Sequence, residues 1–111
     1  MPRQFTLDRV HVSELGTVRL RLQGIPSDDD RAYFGFAYRA GCSVRWNDAT
    51  NEFVDIYDRS VLPVESLRRV LLGLSDELGI ALYTSDMTEW CGVTADDQTQ
   101  FVFMMPSDTV R

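Results

Sequence analysis

The chain has 111 residues, 44% hydrophobic and 25% charged, a globular composition that excludes intrinsic disorder and collagen-like structure. Seventeen acids against eleven bases give a net charge of -6. This argues against direct nucleic-acid binding, where phosphate neutralisation draws on a basic face, and against an anionic membrane surface. No apolar run approaches the ~20 residues of a bilayer span, and residues 1–111 are expected to form one α+β domain.

Phe5 to Val12 reads as a strand whose inward phase moves from Phe5 and Leu7 to Val10 and Val12, which places a bulge near Asp8-Arg9. Ser13 to Gly16 is a turn. Val18, Leu20 and Leu22 alternate with Arg19, Arg21 and Gln23, the pattern of a half-buried antiparallel strand that closes a hairpin with the first. Gly24 to Arg31 reads as an acidic polar loop containing Pro26. Tyr33 to Ala40 alternates again, with Phe34, Phe36 and Tyr38 on one face, and predicts a strand that bends at Gly41 and continues through Cys42 to Trp46. Asn47 to Asn51 is a turn, and Glu52 to Tyr57 returns as the next strand.

Ser60 to Leu78 holds the clearest helical signal, with the helix itself expected over about Pro63 to Leu78. Pro63 suits a first turn, and Glu65 faces the positive end of the dipole. Leu67, Val70, Leu71, Leu74 and Leu78 form one apolar stripe, and Gly79 stands at the C-cap. Ile80 to Thr84 is a short strand. Ser85 to Gly92 reads either as a helical turn or, over Glu89 to Thr94, as a strand. Ala95 to Gln100 is a second acidic loop, Phe101 to Met105 a continuously apolar strand, and Ser107 to Arg111 a tail. The expected architecture is an antiparallel, meandering sheet of about five to seven strands with one long helix, 63–78, on one face.

Catalytic parts are few. All eleven bases are arginine, so lysine Schiff-base chemistry and lysine-dependent phosphate loops are excluded. Ile and Asn are also scarce, a joint depletion that fits a GC-rich bacterial or phage genome. His11 is the only histidine. It could act as base for Cys42 or Cys91, but nothing in the spacing favours this over a surface histidine and two structural thiols. One His and two separated Cys fall short of a metal set, and Asp28-Asp29-Asp30 lacks calcium-loop spacing. No enzyme activity, metal or cofactor is expected. Two unclustered cysteines and an N-terminus without an apolar stretch lead us to expect a cytoplasmic protein with reduced thiols.

What remains is surface. Acids concentrate at Asp28, Asp29 and Asp30 and at Asp96 and Asp97, with Asp48 and Glu52 around the second hairpin turn. Trp46 and Trp90 stand beside polar segments and could anchor a partner. Small size, acidity and the lack of catalytic parts suggest a non-catalytic inhibitor that occludes a basic partner protein, acting as a monomer or homodimer. In size and charge the chain resembles bacterial immunity proteins and phage anti-defence proteins. The alternatives are an accessory protein that self-associates through a sheet edge and a module that binds a small ligand.

Overall fold

The computed structural model describes residues 3–14, 17–39, 44–55 and 63–104. β1 (Arg3–Val12) is the axis of the sheet. It pairs antiparallel with β2 (Val18–Leu22) from Val12↔Val18 to Arg9↔Arg21, and the register then shifts before Leu7↔Leu22. That shift is the expected bulge. The extra residue, Asp8, keeps Leu7 on the same buried face as Val10 and Val12. Ser13 closes the hairpin, its backbone N–H donating to the Thr17 carbonyl and its Oγ accepting from the Thr17 N–H.

The segment after β2 departs from the sequence expectation. Asp28–Arg39 is a helix, α1, and not an acidic loop followed by an aromatic strand. Ser27 caps it: its Oγ accepts from the Asp30 N–H at 3.1 Å, and its carbonyl from the Arg31 N–H. Three aspartates fill the first turn, where negative charge meets the positive end of the helix dipole. Aromatic alternation suggested a strand, but the cap and the charges act on the backbone locally and win. Among the described side chains of α1, Phe34 is buried, with Tyr33 half-buried beside it and Gly35 exposed.

β3 (Val44–Asn47) and β4 (Glu52–Asp55) form the expected second hairpin. Gly41 and Cys42 lie outside the described residues. Asn51 ends the turn in the left-handed region (φ 61°), which Asn tolerates better than most residues. Its side-chain amide donates to the carbonyls of Leu22 and Gly24, locking the turn to the end of β2.

α2 (Pro63–Leu78) is the helix expected over about 63–78. Leu67, Val70 and Leu74 are buried, while Leu71 and Leu78 are half-buried. Gly79 (φ 65°) ends the helix with its N–H on the Ser75 carbonyl. β5 (Ile80–Tyr83) then runs parallel to the first half of β1. A turn over 84–88 follows, in which Thr88 Oγ1 accepts from the Ser85 N–H and donates to the Leu7 carbonyl. β6 (Glu89–Cys91) pairs parallel with the second half of β1, which decides the open reading of this segment in favour of a strand.

The last element is another correction. Ala95–Met104 is a helix, α3, capped by Thr94, and not a loop and a strand. An apolar run such as Phe101–Met105 has no periodicity to separate a buried strand from a helix. The cap and the first-turn acids Asp96 and Asp97 are the local signals that point to the helix.

The six strands form a mixed sheet in the order β3-β4-β2-β1-β5, with β6 also on β1. It is therefore neither wholly antiparallel nor a meander, and the described residues hold three helices, not one. β4 runs parallel to β5, and α2 makes the crossover between them over β2 and β1. Phe34 of α1 and Leu67, Val70 and Leu74 of α2 join one cluster with Leu7, Val10, Leu20, Phe53 and Leu82 of the strands. Phe34 is its aromatic centre. Its ring lies 5.2 Å from that of Phe5 and 4.8 Å from those of Trp46 and Phe53.

Candidate interaction surfaces

Five of the nine residues singled out in the sequence meet at one corner. α1 begins there, and so does the β3–β4 turn. Arg31 pairs with Asp28 and reaches Asp48 at 3.7 Å, while Trp46 donates its indole N–H to Asp48 at 3.1 Å. The hydrogen bond that Arg31 donates to Asp28 and the charge of Asp48 hold the Arg31 pKa above the ordinary guanidinium value. Asp30 turns inward to Arg3, whose guanidinium also lies 4.2 Å from the centre of the Tyr33 ring. The Tyr33 hydroxyl in turn donates to the Leu78 carbonyl at 2.7 Å, which ties α1 to the end of α2. The outward members of the corner are Asp28, with a side chain 90% exposed, Asp48 at 62%, and the exposed Asp29.

Glu52 is not part of this corner. It points to the sheet face opposite the core, is buried, and pairs with Arg19 at 3.3 Å. Strand register composes that face in two rows. One runs Arg45, Val54, Arg19, His11, Cys91, and the other Asn47, Glu52, Arg21, Arg9, Glu89. Four arginines against two glutamates make these ten positions net positive in a chain of net charge -6. Arg21 also bonds Asp8 in the bulge at 2.8 Å and approaches Glu89 at 3.7 Å. A cleft of ≈ 410 Å³ opens at the β3 end of this face, lined by Arg19, Arg45, Trp46, Asn47, Asp48 and Val54.

At the β6 end His11 and Cys91 are register partners, and Arg9 donates to the Cys91 sulfur at 3.7 Å. This hydrogen bond, reinforced by Coulomb attraction from Cys91, Glu89 and Glu52, raises the Arg9 pKa. Arg9 Nε and His11 Nδ1 are buried without hydrogen-bond partners. Cys91 is a free thiol, and Cys42 lies outside the described residues.

The other three sequence candidates sit elsewhere. Trp90 packs against the core and lines a second cleft, of ≈ 380 Å³, with Asp86, Thr84 and Gln98. Asp96 and Asp97 belong to the first turn of α3. The polar groups here are largely engaged in the local fold: Ser85 Oγ accepts from the Met87 N–H, Gln98 donates to the Val93 carbonyl, and Thr99 donates to the Asp96 carbonyl.

Sequence reasoning placed Arg19 and Arg21 on the outward phase of β2 but gave them no role. Arg9 and Arg45 join them only through cross-strand register, which leaves no mark in the sequence. Among the described residues no three His, Cys, Asp or Glu side chains converge as metal ligands would, and no helix is long and apolar enough to cross a membrane. Comparison with protein families, with curated proteins and with solved structures finds no match for this chain.

Proposed function

We propose that the protein is a cytoplasmic, non-catalytic inhibitor that docks on a basic protein surface through Asp28, Asp29 and Asp48, with Trp46 adjoining them. The observation that supports this reading is the convergence of these residues from two separate segments around Arg31. Arg31 holds Asp28 and Asp48 before any partner arrives, so less conformational entropy is lost on docking. Exposed carboxylates act mainly on encounter, through a field that salt screens. The neighbouring arginine face gives the surface both signs, and a partner that docks across β3 would need the complementary pair.

The test is affinity capture from the native host by wild type and by the triple variant Asp28→Asn, Asp29→Asn, Asp48→Asn, followed by association kinetics on any protein retained. A basic partner whose association rate falls several-fold in the triple variant, and falls with rising salt, supports the proposal. A partner indifferent to both removes the acidic corner from recognition.

One observation favours the second reading, self-association. Among the described residues β3 and β5 each pair on one side only, so the sheet presents two open edges. A chain that stays monomeric in size-exclusion chromatography at high concentration removes that reading.

A further inference from the structure

We propose that Cys91 is a nucleophilic thiol that forms a mixed disulfide with a small disulfide bearing carboxylates. The site is a cluster on the sheet face opposite the core. Register between β1 and β6 assembles it, setting His11 beside Cys91 and Arg9 beside Glu89. Arg9 donates to the Cys91 sulfur at 3.7 Å. Among the described residues Arg9 has no carboxylate at ion-pair distance, whereas Arg19 holds Glu52 and Arg21 holds Asp8 and Glu89. The Arg9 Nε is buried and unpartnered, and so is His11 Nδ1 beside it on the same strand face. The sulfur is thus the partner of a cation that nothing else at contact distance neutralises.

A guanidinium does not give up its proton in proteins, so the positive charge at the sulfur is permanent. The thiolate is the nucleophilic form of cysteine, and a hydrogen bond from a charged donor favours the anion. Cys91 is free and half-buried, and Gly92 after it is exposed. A partly exposed sulfur in an electropositive setting is the environment of a reactive cysteine and not of an inert buried one. Arg9 and the net-positive face around it favour a reagent that carries carboxylates. In the step, the Cys91 proton passes to solvent and the thiolate attacks one sulfur of the disulfide. A new S–S bond forms as the old one breaks, and the second sulfur leaves as a thiolate. Cys91 is oxidised and the departing half is reduced, so the small disulfide is the whole oxidant.

This inference is independent of docking at the acidic corner, because its test uses no partner protein. The full chain is mixed with dithiobis(nitrobenzoate), a dicarboxylate, or with the uncharged dithiodipyridine at about pH 7, where an ordinary thiol is only a few per cent ionised. Samples are quenched in acid and digested with pepsin, and mass spectrometry follows the mixed disulfide at Cys91 separately from Cys42. In the native chain Cys91 should react with the dicarboxylate about tenfold faster than in the chain unfolded in urea, although folding half-buries it. The gain on folding should be smaller with dithiodipyridine. Arg9→Gln should lose most of the gain, and Arg9→Lys, which keeps the charge, should retain most of it. Far-ultraviolet dichroism checks the fold of each variant, and if Arg9→Gln unfolds, the wild-type ratio and the Arg9→Lys rate decide. A native Cys91 that reacts no faster than the unfolded one, or that keeps its rate in folded Arg9→Gln, would overturn the proposal. So would an equal or larger gain with the uncharged disulfide.

Discussion

Removing the Phe34 side chain is the most direct test of how α1 meets the sheet. Phe34 is fully buried, with three aromatic rings within 5.2 Å, centroid to centroid. Phe34→Ala deletes the ring at the centre of that cluster and leaves a cavity walled by Phe5, Trp46 and Phe53, side chains held by strands that cannot readily collapse inward. A buried Phe→Ala change costs about 3–5 kcal/mol, and poor relaxation favours the upper half of that range. A domain of this length has a stability of about 6–16 kcal/mol, so the variant loses a large fraction of it. With a urea slope of about 1.5 kcal/mol/M, the unfolding midpoint should fall by roughly 2–3 M. Equilibrium urea unfolding followed by far-ultraviolet dichroism measures this. Trp46 fluorescence, read in a Trp90→Phe background, reports the cavity as a red shift in the native baseline. Phe34→Leu, which keeps most of the volume, should cost less than half as much. A loss below about 1 kcal/mol for Phe34→Ala, far under the range for a buried ring, with unshifted Trp46 emission, would mean that α1 does not dock over β1, β3 and β4.

Three further outcomes follow from the fold. A Cβ at Gly35 or Gly73 meets nothing within 4 Å, and both residues lie inside helices with no positive φ. Gly35→Ala and Gly73→Ala should therefore each stabilise the protein by about 0.5–1 kcal/mol in thermal or urea unfolding. Gly92 has φ 83°, and a Cβ there would overlap the Val12 carbonyl, so Gly92→Ala should destabilise by several kcal/mol and loosen β6, measurable as faster hydrogen exchange at Val10 to Val12. On α2, Leu74→Ala should cost about 2–5 kcal/mol and Leu71→Ala about half of that, because Leu74 is fully buried and Leu71 only half so. Equal losses would show that the helix is rotated about its axis.

The legible parts of the sequence are those where one period dominates and the cap agrees with it. α2 has both, a five-residue apolar stripe and Gly79 behind it, and its extent was readable as about 63–78. β2 alternates cleanly, and the bulge in β1 shows as a phase change that the register confirms. α1 was illegible for a specific reason. Phe34, Phe36 and Tyr38 repeat every two residues, so the period favours a strand, while the helical signals are Ser27 as cap and three aspartates behind it. Alternation of large aromatic residues is a strong pattern, and a cap is one residue. α3 repeats the case, with Thr94 and two aspartates outvoted by an apolar run. The parallel pairing of β5 and β6 with β1 carries no local signal, because strand direction follows from where the α2 crossover returns.

The same misreading bears on function. Aspartates in a supposed loop look like an exposed binding surface, whereas aspartates in a helix first turn have work to do in the fold. Asp28 and Asp30 are bound by arginines of this chain, and all three meet the helix dipole. Their charge is partly spent before a partner arrives, so neutralising them should show in helix stability as well as in association rate, and the two readouts must be measured together. The arginines present the reverse case. Distributed one or two per strand, they look like the outward phase of ordinary half-buried strands. Register gathers Arg9, Arg19, Arg21 and Arg45 onto one face, and it sets Arg19 and Arg45 on either side of an apolar residue. A face of net positive charge assembled from distant strands is a property of the pairing, not of any segment. It therefore gives the chain a basic surface that its net charge of -6 conceals.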